Sequence, residues 1–138
     1  MDKTEGWENR LTQYIEEMRD KPFKRGSHDC ALFAGNCIDL MTGRDTTSEF
    51  RRPYKNRKEA MTLLKTLGYD NLEAVATAKL GEPLSNINFA GRGDCVTVPC
   101  KEGVALAIVE TSGKRAVTTG KGGLEYYPAK DWLKAWKV

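Results

Sequence analysis

The spacing of apolar residues changes once along this chain, near Asp94, and that change limits the architectures open to it. Before it, apolar side chains recur every three or four residues, the period of an amphipathic helix. After it they fall in short runs between glycine-containing turns, the pattern of a strand meander. Residues 4–19 set Trp7, Leu11, Tyr14 and Met18 on one stripe. A second helix is expected over 30–41, capped by Asp29 or Ser27, closed by Gly43, with Cys30, Phe33, Ala34, Cys37 and Met41 on one face. Residues 57–67 carry Ala60, Met61, Leu64 and Leu67 in register, and 71–80 form a fourth helix stopped by Gly81 and Pro83. Strands are expected over 95–98, 104–110, 115–119 and 124–127, turning at Gly103, Ser112-Gly113 and Gly122-Gly123. A last helix over 129–137 would present Trp132, Leu133 and Trp136 to the body. The expected fold class is α+β: N-terminal helices packed on a C-terminal antiparallel sheet of about four short strands, with a C-terminal helix.

The chain has 138 residues, the length of one domain, so 1–138 is read as a single unit. Leu, Ile, Val and Phe number only 27, but the net charge is +3, too small for a chain kept open by self-repulsion. Trp, Tyr and Met supply the remaining apolar volume of a small core. The longest apolar run, residues 104–109, is far below the roughly 20 residues a spanning helix needs. Residues 1–10 are polar and charged, which predicts no secretory signal. Cys30, Cys37, Cys95 and Cys100 are accordingly expected as thiols of a chain folded in a reducing cytoplasm.

The stretch from Phe23 to Cys30 carries the most chemistry. A thiol in the first turn of a helix sits where unpaired N–H groups and the helix dipole favour the thiolate. A nucleophile also needs a histidine within hydrogen-bond reach, oriented by a third polar group. The plain alternative is a cysteine packed on the buried face of an amphipathic helix.

The loop Gly26-Ser27-His28-Asp29-Cys30-Ala31 opening a helix, followed by Gly91-Arg92-Gly93-Asp94 opening a run of strands, resembles the NlpC-type branch of papain-like cysteine peptidases. More closely, the chain resembles a family of unknown function found in tailed-phage genomes. The shared features are Trp7, Pro22-Phe23, Gly26 to Cys30, Arg92-Gly93-Asp94 and the terminal Ala135-Trp136-Lys137-Val138. The resemblance spans almost the whole chain. It implies a papain-like, NlpC-like fold with Cys30, His28 and Asp29 in a vestigial catalytic site.

The departure from that pattern concerns mechanism. The resemblance places the base at the start of the second strand, here within residues 103–107, which are apolar and contain no histidine. A third polar residue would fall near Thr118 or Thr119. His28, the only histidine, lies two residues before Cys30, where neighbouring side chains diverge. General-base catalysis contributes about two to four orders of magnitude, so hydrolysis at Cys30 should be poor.

Two other groupings bear on function. Cys95 and Cys100 have a spacing that loosely fits a zinc knuckle, whereas Cys30 and Cys37 lie roughly 10 Å apart along a helix and cannot chelate one ion together. Buried thiols are the preferred reading, and no metal or cofactor is implied. Arg51, Arg52, Lys55, Arg57 and Lys58 put five positive charges into eight residues, with Tyr54 among them able in principle to stack on a base. With a net charge of +3 the patch is local. A solvated loop is expected first, an acidic partner next and nucleic acid last.

The resulting expectation is a structural or assembly component of a phage tail, at the tip or baseplate. It would be built on a degenerate cysteine-peptidase scaffold and assembled with other tail proteins in a multimeric ring or hub. It would reside in the host cytoplasm during assembly and then in the virion, with cell-wall contact one option. The alternative is an active hydrolase cleaving peptidoglycan peptide bonds with Cys30 as nucleophile.

Overall fold

Four helices precede a five-stranded antiparallel sheet in a computed structural model that describes residues 2–51 and 53–138. The helices are α1 (Trp7–Met18), α2 (Cys30–Thr42), α3 (Arg57–Thr66) and α4 (Leu72–Leu80). The strands are β1 (Cys95–Cys100), β2 (Gly103–Val109), β3 (Arg115–Gly120), β4 (Gly123–Pro128) and β5 (Ala135–Trp136). The sheet order is β4-β3-β2-β1-β5, so the first four strands form a simple meander and β5 returns to the free edge of β1.

The helix starts have local causes. Asp29 accepts from the Leu32 N–H, Asn56 from Glu59 and Asn71 from Ala74, so three of the four helices open on a side chain that satisfies an otherwise orphan donor. α2 buries Leu32, Phe33, Ala34, Cys37, Ile38 and Met41, which cover more than one stripe, because it is packed on several sides. Its inner side meets Leu11 and Tyr14 of α1 and the sheet residues Cys95, Leu106, Ile108 and Val117. On another side, Leu32 packs with Phe50, Leu64 of α3 and Val75 of α4.

The opposite face of the sheet is covered too. Val96, Val98, Ala105, Ala107, Val109 and Ala116 pack against Trp132, with Leu84, Ile87 and Ala90 from the long connection before β1 added to them. Both faces of the sheet are therefore buried along most of β2. This explains why β2 reads as a continuous apolar run instead of alternating.

The C-terminal helix expected over 129–137 does not form. Residues Ala129–Asp131 make one 3-10 turn, the chain then extends, and β5 pairs Cys95 with Trp136 and Val96 with Ala135. The reason is that Trp132 packs on the outer face of the sheet while Trp136 belongs to the inner core, and a helix would have put them on one side. The Leu133 N–H donates to the Thr97 carbonyl and the Thr97 N–H to that of Lys134, each at 2.9 Å. Leu133 itself, expected against the body, is 51% exposed. The sheet has five strands, not about four.

Candidate functional site

Residues 24–28 form a tight loop in which the His28 N–H donates to the Lys24 carbonyl at 2.7 Å and the Lys24 N–H returns the bond at 3.0 Å. Gly26 has φ +86°, and a Cβ there would be driven into the Tyr54 carbonyl oxygen, so only glycine serves. Asp29 closes the loop. Its Oδ2 accepts from the Gly26 N–H at 3.0 Å and from the Tyr54 hydroxyl at 2.6 Å, while Oδ1 accepts from the Leu32 N–H at 3.0 Å. Buried and bonded in this way, the carboxylate is a structural tie. It is not a free acid for chemistry.

Cys30 follows directly, partly exposed at the first turn of α2. Burial pushes its thiol up to about 12; hydrogen bonding from the Leu106 main chain and the charge of Arg25 oppose this, while Asp29 and Cys100 reinforce it. The helix-terminus effect that should favour a thiolate is outweighed. On β2, the Leu106 main chain bonds the thiol, and Val104 lines the same cavity. Neither can take a proton. Thr118, near the expected third position, spends its hydroxyl on the Leu106 carbonyl at 2.7 Å, and the Thr119 hydroxyl is buried without a partner among the described residues.

His28 does not supply the missing base. Its ring is buried, set edge-on to Phe33 with centroids 6.1 Å apart, and its Nε2 has no hydrogen-bond partner among the described residues. Burial holds the imidazole below its ordinary range, Lys21 adds to that, and Asp29 partly offsets it. Cys30, His28 and Asp29 are thus neighbours in sequence with separate employments.

Above Cys30 lies a cavity of about 180 Å³, open on one side and bounded by α2, α3, the start of α4 and the β1–β2 turn. Its wall is mainly apolar, with Phe50, Met61, Leu64 and Leu72 among the lining residues. At its mouth one Nη of Arg25 reaches both carboxylate oxygens of Glu102, at 2.6 and 2.8 Å. Arg57 donates to the Glu102 carbonyl at 3.3 Å, and its Nε stands 3.9 Å from the carboxylate. Arg25 and Glu102 were not marked as site residues by the sequence, and Tyr54 was read only as a ring able to stack on a base. A lone aromatic in a charged loop was the available signal for Tyr54, and nothing marked Glu102.

The basic stretch is dispersed. Arg51 bonds Thr47 at 2.7 Å and lies 3.5 Å from Asp45, Arg57 turns to Glu102, Lys55 and Lys58 are exposed, and Arg52 lies outside the described residues. Tyr54 is buried on Asp29, so it is not available to stack on a base, contrary to the sequence reading. The zinc candidates part company as well. Cys95 and Cys100 are five positions apart on one regular strand, so they face opposite ways, Cys95 buried and Cys100 exposed. Among the described residues no group of three or more His, Cys, Asp or Glu is placed to hold a metal ion.

The second glycine–aspartate motif is a strand-start counterpart of the first. The Gly91 N–H donates to Asp94 Oδ2 at 2.9 Å, while Asp94 Oδ1 accepts from the Val138 N–H at 3.0 Å. Lys3 and Lys137 lie 3.9 and 3.6 Å from this fully buried carboxylate. Trp136, next to Lys137 in the chain, is buried and donates its indole N–H to the Thr77 hydroxyl at 3.1 Å. The Arg-Gly-Asp and Ala-Trp-Lys-Val motifs therefore form one joint, in which the first strand and the last residues are fastened together. Motif order and spacing of this kind, carried from one end of the chain to the other, define a family.

The chain belongs to the family described as Domain of unknown function (DUF6950), matched over residues 2–138. No curated protein matches it. The matched span takes in both glycine–aspartate loops, the cavity and the terminal joint.

Proposed function

We propose that the chain is a structural or assembly component of a bacteriophage tail, near the tip or baseplate, on a papain-like, NlpC-like scaffold that has lost its catalytic base. One observation supports the loss of catalysis: the Cys30 thiol is bonded by the Leu106 main chain, while the only imidazole is packed on Phe33. Burial holds the Cys30 thiol in its protonated form at neutral pH, and the opposing Leu106 bond and Arg25 charge do not outweigh it. The assignment to a tail rests on the motif resemblance, together with helices first, the thiol at a helix start and an antiparallel sheet behind it. On this reading the partners are other tail proteins in a ring or hub, and the chain moves from the host cytoplasm into the virion.

The runner-up, a hydrolase acting on peptidoglycan peptide bonds, draws on Cys30 being partly exposed in an open cavity. Iodoacetamide labelling at pH 7 followed by peptide mapping separates the two. The expected result is slow modification of Cys30, no faster than that of the exposed Cys100, with no muropeptide cleavage and with the chain present in purified particles. Rapid selective labelling of Cys30, with cleavage that disappears in Cys30→Ala, overturns the proposal. Absence of the chain from particles removes the tail assignment separately.

A further inference from the structure

We propose that the cavity above Cys30 binds a compact carboxylate with an apolar body, and that Glu102 occupies the carboxylate position in the free protein. The cavity's two ends differ in chemistry. Its wall is built from Phe50, Ala60, Met61, Leu63, Leu64 and Leu72, with Val104 from the sheet. Its mouth carries two guanidinium groups, Arg25 from the loop before α2 and Arg57 from the first turn of α3, converging from different elements on one carboxylate. The remaining polar lining groups are already used: Asp29 within its own loop, and the Asn71 side chain as cap of α4.

The two arginines are not held alike: the Arg57 side chain is 59% exposed and donates to the Glu102 main chain. The Arg25 side chain is 22% exposed and held by the same loop that Asp29 closes. Two arginines from separate elements, Arg25 bonded to the carboxylate and Arg57 3.9 Å from it, make the mouth positively charged and suited to an anion. The group to be displaced is Glu102. It sits in the two-residue turn between Cys100 and Gly103 with its side chain 42% exposed, so rotation of that side chain into water vacates the position. A cavity of about 150 Å³ is enough to hold a benzene ring. The volume here, about 180 Å³ and open on one side, accommodates one aromatic ring or a branched chain of similar size. The occupant fitted by these features is a small acid whose carboxylate replaces that of Glu102 between Arg25 and Arg57. The inference rests on the cavity and its mouth, and it does not depend on the tail assignment.

Titration with 3-phenylpropionate and with its amide, followed by chemical shifts and calorimetry at low salt, tests this on the full chain. The acid is expected to bind the wild type at least about tenfold more tightly than the amide, the size of a charge-assisted hydrogen bond. Glu102→Gln removes the internal competitor and is expected to tighten acid binding by about another tenfold. Arg25→Gln should bring acid and amide to equal affinity, and Ala60→Phe should abolish binding of both by filling the apolar end. Circular dichroism on each variant shows that it is folded. Equal affinity of acid and amide for Glu102→Gln, or no binding to that variant while folded, overturns the proposal; so does unchanged binding in folded Ala60→Phe.

Discussion

The pattern Gly-x-x-Asp-Cys occurs twice in this chain, at residues 26–30 and 91–95, and the two copies do different work. In both, the glycine N–H donates to Oδ2 of the aspartate three residues on, at 3.0 and 2.9 Å, and in both the aspartate is buried. Burial raises the following thiol to about 12 in each. The first copy opens a helix, spends its second oxygen on the helix N–H of Leu32, and is fastened by Tyr54. The second opens a strand, spends that oxygen on the Val138 N–H, and is flanked by Lys3 and Lys137. The pentapeptide is a loop-closing device. What distinguishes the copies is what surrounds them: Cys95 is sealed in the core, while Cys30 looks into a cavity.

The two aspartates are structural to different degrees. Asp94→Ala should be the more damaging, about 3–5 kcal/mol in urea unfolding, because it frees two backbone donors and leaves Lys3, only 11% exposed, without its counter-charge. A loss below about 1 kcal/mol would mean that the terminal joint is not a joint.

Asp29→Ala should cost about 2–3 kcal/mol, combining a lost helix cap with an unpaired tyrosine hydroxyl. Its cycle with Tyr54→Phe should show a coupling of about 1 kcal/mol, and zero coupling would detach the 51–56 loop from the site.

The smallest effect is a pH effect at His28. Its pKa is lowered on folding, so below about 6.5 the unfolded chain binds the extra proton and the folded one resists it. Stability should therefore decline as pH falls from 6.5 toward the lower folded value, and no further on this account below it. His28→Phe should remove that component while leaving stability at pH 7.5 nearly unchanged. Identical pH profiles for the two proteins would show that His28 titrates as it does in water.

The starts of α2, α3 and β1 were legible because their causes are local: a capping side chain, a helical period, a change of pattern after a glycine-rich turn. The last element was not. Trp132, Leu133 and Trp136 fit a helical face, and a nine-residue helix is too short to hold against the pull of two different apolar surfaces. The apolar character of residues 103–107 was legible, since it needed only the sequence. The narrowing to Val104 and Leu106 needed the register, and the clamp of Arg25 and Arg57 on Glu102 joins segments between 45 and 77 residues apart, which no local pattern encodes.

The Lys3 ammonium donates to the Val138 carbonyl at 2.5 Å, so the two ends of the described chain share one corner. Connectivity there is a matter of convenience for the fold. A short bridge joining the ends, with a new opening in the Lys121-Gly122 turn between β3 and β4, reorders the sequence and keeps every strand neighbour in place. Circular permutation of this domain therefore offers a way to move its attachment points to the far end of the sheet while the cavity over Cys30 stays intact.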